Sequence, residues 1–242
     1  MTPPIPAIHE IWVYLSGSPL LALILTLSAY QLGVMAYERS GRNPIANPVL
    51  IAIVLVAVSI TAIDMPYAKY FEGAQFVHFL LGTATVALAV PVYKGLVALR
   101  GRVFPMLAAL LAGGATSIVV AVGLAKLLGA DAAIVGGFWA KSVTAPIAMG
   151  IAERSLLSPT LTAVFAVSTG ILGAILVRVT MDALGMKSWW QRGFALGVAA
   201  HGIGTSRAFS VHPEAGTYAS LGMGLHGVLG AVLIPVAVRF VA

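Results

Sequence analysis

The stretch Phe-Ala-Leu-Gly-Val-Ala-Ala-His-Gly-Ile-Gly-Thr-Ser-Arg-Ala-Phe, residues 194–209, is apolar but is interrupted in its middle. Gly202 and Gly204 each weaken a helix by about 1 kcal/mol relative to alanine, and Thr205 and Ser206 are good N-cap residues for a helix that starts again. A broken helix inside a bilayer is tolerated only where its freed backbone groups are buried in protein or face a water-filled cavity. Many transporters build their substrate sites from such breaks. The stretch therefore predicts a small transporter organised around broken helices.

The composition of the whole chain predicts an all-α integral membrane protein. Apolar residues make up 60% of the chain, charged residues 9%, and the mean hydropathy is +0.99. A soluble domain carries about 25% charged residues. The apolar runs are continuous rather than alternating, so we expect helices and not the strands of a membrane barrel. At about 20 residues for each span, the chain holds about seven or eight elements in a single membrane domain.

Charge and cysteine content exclude several function classes. The net charge is +6, but short loops carry most of it, so the positive-inside rule explains it without a nucleic-acid partner. The chain has no cysteine, which excludes disulfides and cysteine-based metal sites. It also has no zinc-protease His-Glu-x-x-His motif, no Gly-x-Ser-x-Gly motif and no paired carboxylates at depth, so we predict that it is not an enzyme and binds no metal or cofactor.

Polar residues, prolines and glycines divide the chain into ten elements. The pair Asn47-Pro48 opens one span and Ser158-Pro159 another, each with an N-cap residue followed by a proline that suits the first helical position. In chain order we predict an interfacial lead-in at 1–17, spans at 19–37 and 47–64, a polar aromatic loop at 67–72, spans at 76–99 and 104–128, a re-entrant or broken segment at 131–154, a span at 158–184, the broken element at 192–209 and a last span at 215–241.

Two parts of the chain resemble one another. Residues 47–53 are similar to residues 158–164, and each stretch opens a plain span that is followed by a broken one and by another plain one. We therefore interpret 47–128 and 158–242 as two repeats of three helices, each with a broken helix, and we expect the broken helices to cross near the middle of the bilayer.

The numbers of basic residues on the two sides of the membrane distinguish between two topologies, with Lys141 left out of the count as intramembrane. If every element crosses once, the two sides carry seven and six basic residues, which is no asymmetry. If residues 131–154 instead enter and leave on one side, the totals are nine and four. The nine are Arg39, Arg42, Lys94, Arg100, Arg102, Arg178, Lys187, Arg192 and Arg239, and the four are Lys69, Lys126, Arg154 and Arg207. The second arrangement obeys the positive-inside rule and inverts the repeats, so we expect seven crossings plus a re-entrant segment, with the N-terminus outside and the C-terminus inside.

The polar residues at depth are cationic or hydrogen-bonding, because Asp64, Asp131, Glu153 and Asp182 all fall at predicted span ends. Helix N-termini at the breaks add about +0.5 elementary charge each. Such a site suits an anion, in particular a small carboxylate. The candidate substrate-binding residues are Lys141, Ser142, Thr144, Thr83, Thr85, His201, Gly202, Gly204, Thr205 and Arg207.

Each candidate also has a purely structural interpretation. Lys141 can extend to an interface, and Arg207 can be a loop charge after the broken helix. His201 and His226 can form hydrogen bonds between helices, and the threonines can bond to their own helix backbone. The glycines in the last span are typical of close helix packing.

Three blocks of the chain resemble the LrgB/CidB family, which includes the bacterial YohK-like proteins and the LrgB-like half of the plant plastidic glycolate/glycerate translocator. The blocks are LGTATVALAVPVY at 81–93, AKSVTAPIAM at 140–149 and RGFALGVAAHGIGTSRA at 192–208. The resemblance extends over nearly the whole chain from Asn47 onward. The chain departs from the family at Thr83 and Ala140, where the family usually has proline at a presumed helix break.

The resemblance implies one of two functions. Some relatives are described as antiholin-like regulators of murein hydrolase export and cell lysis that act with a small LrgA-like membrane partner, and others as carriers of glycolate, glycerate, lactate or pyruvate. The broken helices and the intramembrane lysine favour a carrier that works by alternating access, because a holin-like pore needs oligomerising amphipathic helices. A third alternative is a scaffold that stabilises its LrgA-like partner. We expect a multi-pass protein of the bacterial inner membrane; the coupling ion, H⁺ or Na⁺, and homo-oligomerisation stay open.

Overall fold

A computed structural model of the chain describes residues 19–87, 89, 90, 93 and 101–241, apart from the side chains of residues 78, 81, 82, 84, 85 and 241. The interfacial lead-in, Pro91 and the side chain of Thr85 therefore lie outside the described part. Within that part every regular element is a helix, as predicted. The helices are α1 (Pro19–Arg39), α2 (Pro48–Ala62), α3 (Tyr67–Ala87), α4 (Val103–Leu127), α5 (Ala132–Gly137), α6 (Ala145–Arg154), α7 (Pro159–Ala183), α8 (Trp189–Val211) and α9 (Pro213–Val241).

Four of these helices, α1, α4, α7 and α9, are long and apolar enough to cross a membrane. Their outward faces carry large exposed aliphatic side chains, including Val119 on α4, Val179 on α7 and Val228 on α9, each about two-thirds exposed or more. Contiguous apolar surface of this kind is rare on a soluble monomer and is typical of a surface that contacts lipid. The protein is therefore a multi-pass, all-helical membrane protein, whereas the predicted count of seven crossings and the inverted repeat are not confirmed.

The predicted helix starts at Asn47-Pro48 and Ser158-Pro159 are confirmed. The side chain of Asn47 accepts hydrogen bonds from the amides of Val49 and Leu50, and the hydroxyl of Ser158 accepts one from the amide of Leu161. Each bond satisfies an amide that has no partner within its own helix.

The chain divides into two compact units, residues 1–83 and 84–242. In the first unit α1 contacts both α2 and α3 through small residues. A Cβ atom on Gly33 would lie 2.6 Å from the carbonyl oxygen of Pro48, and one on Gly73 would lie 2.6 Å from the Cβ atom of Ala22. The hydroxyls of Thr26 and Tyr70 are 2.7 Å apart and join α1 to α3.

Two predictions about α3 are wrong. The stretch 67–72, predicted as a loop, forms the first turns of the helix, and the break presumed at Thr83 is absent, since the helix continues to Ala87. The tyrosines and the phenylalanine of this stretch suggested a loop at the interface, but Tyr70 makes a hydrogen bond to α1 that favours the helical conformation.

In the second unit α4 and α9 run parallel to one another. At their beginnings Arg102 donates a 2.7 Å hydrogen bond to the hydroxyl of Tyr218, and toward their ends Val122 and Ile234 belong to the same buried cluster. We call the end of the unit at which α4 and α9 begin end A, and the opposite end, at which they finish, end B.

The first part of α8 runs from end A toward the middle of the unit, alongside α9. A Cβ atom on Gly193 would lie 2.1 Å from the carbonyl oxygen of Ala215, and one on Gly197 would lie 2.0 Å from that of Ala219. A step of four residues along α8, from Gly193 to Gly197, matches a step of four in the same direction along α9, from Ala215 to Ala219, so the two segments are parallel. Only glycine permits this approach of the two backbones, which is how small residues bring membrane helices together.

Helix α7 runs in the opposite direction, from end B to end A. Near its C-terminus Asp182 pairs with Arg192 at the beginning of α8, whereas Gly170, near the middle of α7, contacts the ring of His201. Because α4 ends at end B and α7 begins there, the segment between them, residues 131–154, both starts and finishes at end B.

Residues 131–154 form a helical hairpin, which we call the first hairpin. Asp131 caps α5 through a 2.8 Å hydrogen bond from the amide of Ile134. The rings of Phe138 and Phe165 stack with their centroids 4.1 Å apart, so α5 rises from end B along the first turns of α7. Residues 138–144 are not helical, and α6 then returns toward end B. The predicted break within this segment is confirmed.

Helix α8 forms the second hairpin, residues 189–211, with its turn at His201. The backbone of His201 has φ 42° and ψ −132°, outside the helical region, while the residues on both sides are helical. The ring of Trp189, at the start of the hairpin, stacks on that of His212, just after its end, with centroids 4.8 Å apart. The two legs are residues 189–200 and 202–211.

Contacts between the legs confirm that α8 turns back. A Cβ atom on Gly204 would lie 2.7 Å from the Cβ atom of Ala200 and 2.9 Å from the carbonyl oxygen of Leu196. The sequence correctly predicts the break, but two expectations drawn from it are wrong. The helix restarts at Gly202 and not at Thr205, and the element does not cross the unit. Arg207 therefore lies at end A, and Arg239, at the end of α9, lies at end B.

Candidate functional site

The tip of the first hairpin carries a lysine that is bound by two hydroxyls. The ammonium nitrogen of Lys141 donates to the hydroxyl oxygens of Ser117, at 2.9 Å, and of Ser142, at 3.2 Å. The two hydroxyl oxygens are themselves 2.7 Å apart. Ser117 is on α4, ten residues before its C-terminal end, so the ammonium group lies well inside the unit.

No carboxylate balances the charge of Lys141 among the described residues. Both ion pairs in that part of the chain involve Asp182, which lies at end A. Lys141 is half-buried and Ser142 is buried. A charged group at this depth is costly in a membrane protein and usually has a functional partner.

The tip of the second hairpin is anchored by the ring of His201. Its Nε2 atom lies 2.8 Å from the carbonyl oxygen of Ala166 on α7, and the side chain is buried. A carbonyl only accepts hydrogen bonds, so Nε2 carries the proton and Nδ1 is left as an acceptor. A Cβ atom on Gly170 would lie 2.8 Å from Cε1 of the ring, so a glycine at this position makes room for the imidazole.

A second histidine binds the first leg of this hairpin to α9. The Nδ1 atom of His226 lies 2.8 Å from the carbonyl oxygen of Val198, and its Nε2 atom is 3.1 Å from where a Cβ atom on Gly114 would lie. Gly114 is three residues from Ser117 on α4, so His226 and Lys141 approach neighbouring positions of the same helix. Lys141 is close enough to interact electrostatically with both His226 and His201.

The two hairpin tips meet in the interior of the unit. The methyl group of Thr144 lies 4.0 Å, and the sulfur of Met223 3.9 Å, from where a Cβ atom on Gly202 would lie. The hydroxyl of Thr205 donates to the carbonyl oxygen of His201 at 2.8 Å and also contacts the sulfur of Met223 at 3.7 Å. We call this set the tip cluster; it consists of Ser117, Lys141, Ser142, Thr144, His201, Gly202, Thr205, Met223 and His226.

Two helix N-termini face one another at the tip cluster. Helix α6 begins after Thr144, whose side chain makes no capping hydrogen bond, and the second leg of α8 begins at Gly202. The first amides of a helix have no partner within it, and the N-terminus carries about +0.5 elementary charge. Together with the ammonium group of Lys141, these ends make the cluster positively charged and rich in hydrogen-bond donors.

Six of the ten predicted site residues belong to the tip cluster: Lys141, Ser142, Thr144, His201, Gly202 and Thr205. Gly204 lies in the interface between the legs. Thr83 belongs to the first unit, where its exposed hydroxyl donates to the carbonyl oxygen of Leu80 at 2.8 Å. The side chain of Thr85 is outside the described part.

Arg207 is not at the tip cluster, because the second leg carries it back to end A. There it lines a cavity of about 400 Å³ together with Arg178, Asp182, Trp189 and Arg192. Ser117 and Met223 were not predicted from the sequence, and His226 was interpreted as a packing or helix-bridging residue, which agrees with its hydrogen bond to Val198. None of these three lies next to a break, so only the folded contacts reveal them.

The described residues contain no group of three or more His, Asp or Glu side chains able to hold a metal ion. The tip cluster also has no carboxylate that would orient His201 as a base for Thr205.

Comparisons with known proteins agree with the membrane architecture. The profile of the LrgB-like family matches residues 26–240. The Holin-like protein CidB of Staphylococcus epidermidis is 27% identical over 218 residues, which cover 90% of this chain and 95% of the relative. The uncharacterized protein YxaC of Bacillus subtilis is 32% identical over 219 residues, and CidB of Staphylococcus aureus is 27% identical over 219, with the same coverage in both cases. No solved structure matches the chain.

Proposed function

Because the chain belongs to the LrgB-like family and holds an ammonium group where two opposed hairpins meet, we propose that it carries small monocarboxylate anions across the membrane. The class includes glycolate, glycerate, lactate and pyruvate. The observation that carries the proposal is the position of Lys141, bonded to two hydroxyls and to no carboxylate in the described part of the chain.

The charge of the tip cluster favours a monocarboxylate over anions that carry more than one charge. The tip cluster has one fixed cation, and one carboxylate group balances it. The amides at the start of α6 and of the second leg of α8 are donors of the kind that bind anions at helix N-termini. The hydroxyl of Thr144, which makes no capping hydrogen bond, can then donate to a 2-hydroxy or 2-oxo oxygen beside the carboxylate, whereas Ser142 and Thr205 already bond to Lys141 and to the carbonyl of His201. Thr83 and Thr85 stay predicted contributors.

The two hairpins supply a route to alternating access. The first hairpin approaches the tip cluster from end B and the second approaches it from end A. Movement of one hairpin away from the other opens the cluster toward its own end, while the second hairpin keeps the other end closed. Short helical legs that meet at mid-depth are how several transporter folds surround a substrate.

The described basic residues of the second unit support one orientation in the membrane. Five lie at end A (Arg102, Arg178, Lys187, Arg192 and Arg207) and three at end B (Lys126, Arg154 and Arg239). The positive-inside rule favours end A as the cytoplasmic end of a protein in the bacterial inner membrane. Helix α9 then finishes on the outer side, opposite to the orientation expected from the sequence.

Transport by the purified protein tests the proposal. Liposomes that contain only this chain should accumulate labelled lactate or glycolate, and Lys141→Met should lower the initial rate at least a hundredfold, because loss of one buried charge partner costs about 3–5 kcal/mol. Lys126→Met removes an exposed charge at end B and should leave the rate unchanged. Equal rates for Lys141→Met and the unaltered protein would refute the assigned site.

Coupling to H⁺ or Na⁺ is part of the same proposal. His201 and His226 are the histidines of the tip cluster, and a proton-coupled carrier would use one of them. Uptake into the same liposomes under an imposed pH gradient, compared with a sodium gradient, distinguishes the two ions. Acceleration by sodium alone would exclude a proton-coupled mechanism.

The alternative is a regulator of murein hydrolase export and cell lysis. Two of the relatives carry the name Holin-like protein CidB, which favours this function. A holin-like pore would release a trapped dye such as carboxyfluorescein from liposomes, whereas a carrier would retain it. Uptake that appears only when an LrgA-like membrane protein is added would instead indicate an obligate complex or a scaffold.

A further inference from the structure

The cavity at end A is a second cationic site, separate from the tip cluster. It is lined by Arg178, Arg192 and Arg207 and by one acid, Asp182, so its formal charge is +2. Asp182 pairs with Arg192 and lies 3.8 Å from the guanidinium of Arg178. The volume of the cavity, about 400 Å³, falls within the range of about 300–1,000 Å³ typical of small-molecule pockets.

The fold makes this cavity part of the second hairpin. Gly193 and Leu196 line it from the first leg, and Arg207 and Ala208 line it from the second leg. Arg178 belongs to α7, which precedes the hairpin in the chain and packs beside it. A ligand in the cavity therefore contacts both legs and the helix beside them.

The arginines of the cavity differ in how strongly their guanidinium groups are bound by other groups of the protein. Arg192 donates to the carbonyl oxygen of Met186 at 2.6 Å and pairs with Asp182, which leaves it fixed in place beside Trp189. The side chain of Arg178 is 80% exposed, and a 3.8 Å contact with an exposed carboxylate contributes little. Arg178 is thus available to a ligand in the cavity.

We propose that this cavity binds the carboxylate group of a small organic anion at end A and holds it next to the second hairpin before the anion reaches the tip cluster. Arg178 and Arg207 provide the charge, and the apolar wall formed by Val177, Leu196 and Val211 accommodates the short carbon chain. The role in transport rests on the proposed carrier function, but the binding itself does not.

Trp189 lines the cavity and gives a direct measure of binding. Lactate or glycolate titrated into the protein in phosphatidylcholine nanodiscs should change the tryptophan fluorescence, and Trp189→Phe should abolish the change. Arg178→Gln and Arg207→Gln should each raise the apparent Kd about tenfold, as expected for the loss of one hydrogen bond to a charged group. Arg154→Gln, at end B, is the matched control and should leave the Kd unchanged.

Lys141→Met separates the two proposals. It should abolish transport yet leave the Trp189 titration as it is, whereas Arg178→Gln should raise the KM of uptake and leave its maximal rate unchanged. A Trp189 signal that disappears in Lys141→Met, or that survives both arginine variants, would overturn the second site. Failure of transport with an intact titration would contradict only the carrier function.

An anionic lipid headgroup presents the same chemistry to the two arginines. If phosphatidylglycerol added to the nanodiscs reproduces the Trp189 change without any soluble anion and prevents the response to lactate, the cavity binds lipid and the proposal is wrong. An unchanged response to lactate in those nanodiscs supports a soluble carboxylate as the ligand.

Discussion

The backbone at His201 predicts that glycine is more stable than alanine there, the reverse of the rule for a helix interior. Its φ of 42° and ψ of −132° lie in a region that costs a residue with a Cβ atom about 1–3 kcal/mol. His201→Ala keeps that cost and His201→Gly removes it. Both variants lose the hydrogen bond to the carbonyl of Ala166, so this loss cancels in the comparison.

The difference is large enough to measure. A change of 1 kcal/mol shifts the melting temperature of a chain of this size by roughly 2–4 °C. We therefore expect His201→Gly to melt at least about 2 °C above His201→Ala in detergent, as followed by circular dichroism. Both should melt below the unaltered protein, because the carbonyl of Ala166 is left buried without its partner.

Ser206 provides the matched control on the second leg. It is exposed and its backbone is helical. In a regular helix glycine is about 1 kcal/mol less favourable than alanine, so Ser206→Gly should melt below Ser206→Ala. If His201 shows the same order as Ser206, α8 is an unbroken helix and the hairpin does not exist.

The remaining predictions concern packing, the tip cluster and topology. Gly197→Ala should destabilise the protein by at least about 1–3 kcal/mol, because the added methyl group overpacks against α9. Gly123→Ala should not, because a Cβ atom there would have no neighbour within 4 Å. Equal melting temperatures of the two variants would contradict the close approach of α8 and α9. Ser117→Ala should raise the KM for lactate up to about tenfold, and no change would remove Ser117 from the site. The chain has no native cysteine, so single cysteines can report which side of the membrane a position faces. Cysteines at positions 128 and 156 should react with an impermeant maleimide from one side, and those at 184 and 214 from the other. Labelling of 184 and 214 from opposite sides would contradict the second hairpin.

Local sequence signals predicted the parts of the fold that depend on neighbouring residues. An N-cap residue followed by proline fixes a helix start, so Asn47-Pro48 and Ser158-Pro159 were sufficient to locate α2 and α7. The glycines after His201 and the polar residues around Lys141 likewise predicted that both segments are broken.

Contacts between distant residues decided what the sequence did not predict. A break shows that a helix is interrupted, but not whether the chain continues or turns back. The close approach of Gly204 to Leu196 and the stacking of Trp189 on His212 decide this for α8, and Arg207 moves to end A as a consequence. Ser117 lies in an ordinary apolar span, and its role follows only from the hydrogen bond that Lys141 donates across 24 residues.

Cross-linking of the two hairpin tips tests most directly whether their meeting point is the transport site. A Cβ atom at position 202 would make only ordinary van der Waals contacts, one of them with the methyl group of Thr144. Thr144→Cys combined with Gly202→Cys should therefore form a disulfide on mild oxidation. We expect liposomes containing the oxidised protein to take up no lactate and to recover uptake when a reductant is added, with each single variant insensitive to both treatments. Full uptake by protein whose tips are demonstrably cross-linked would contradict the account.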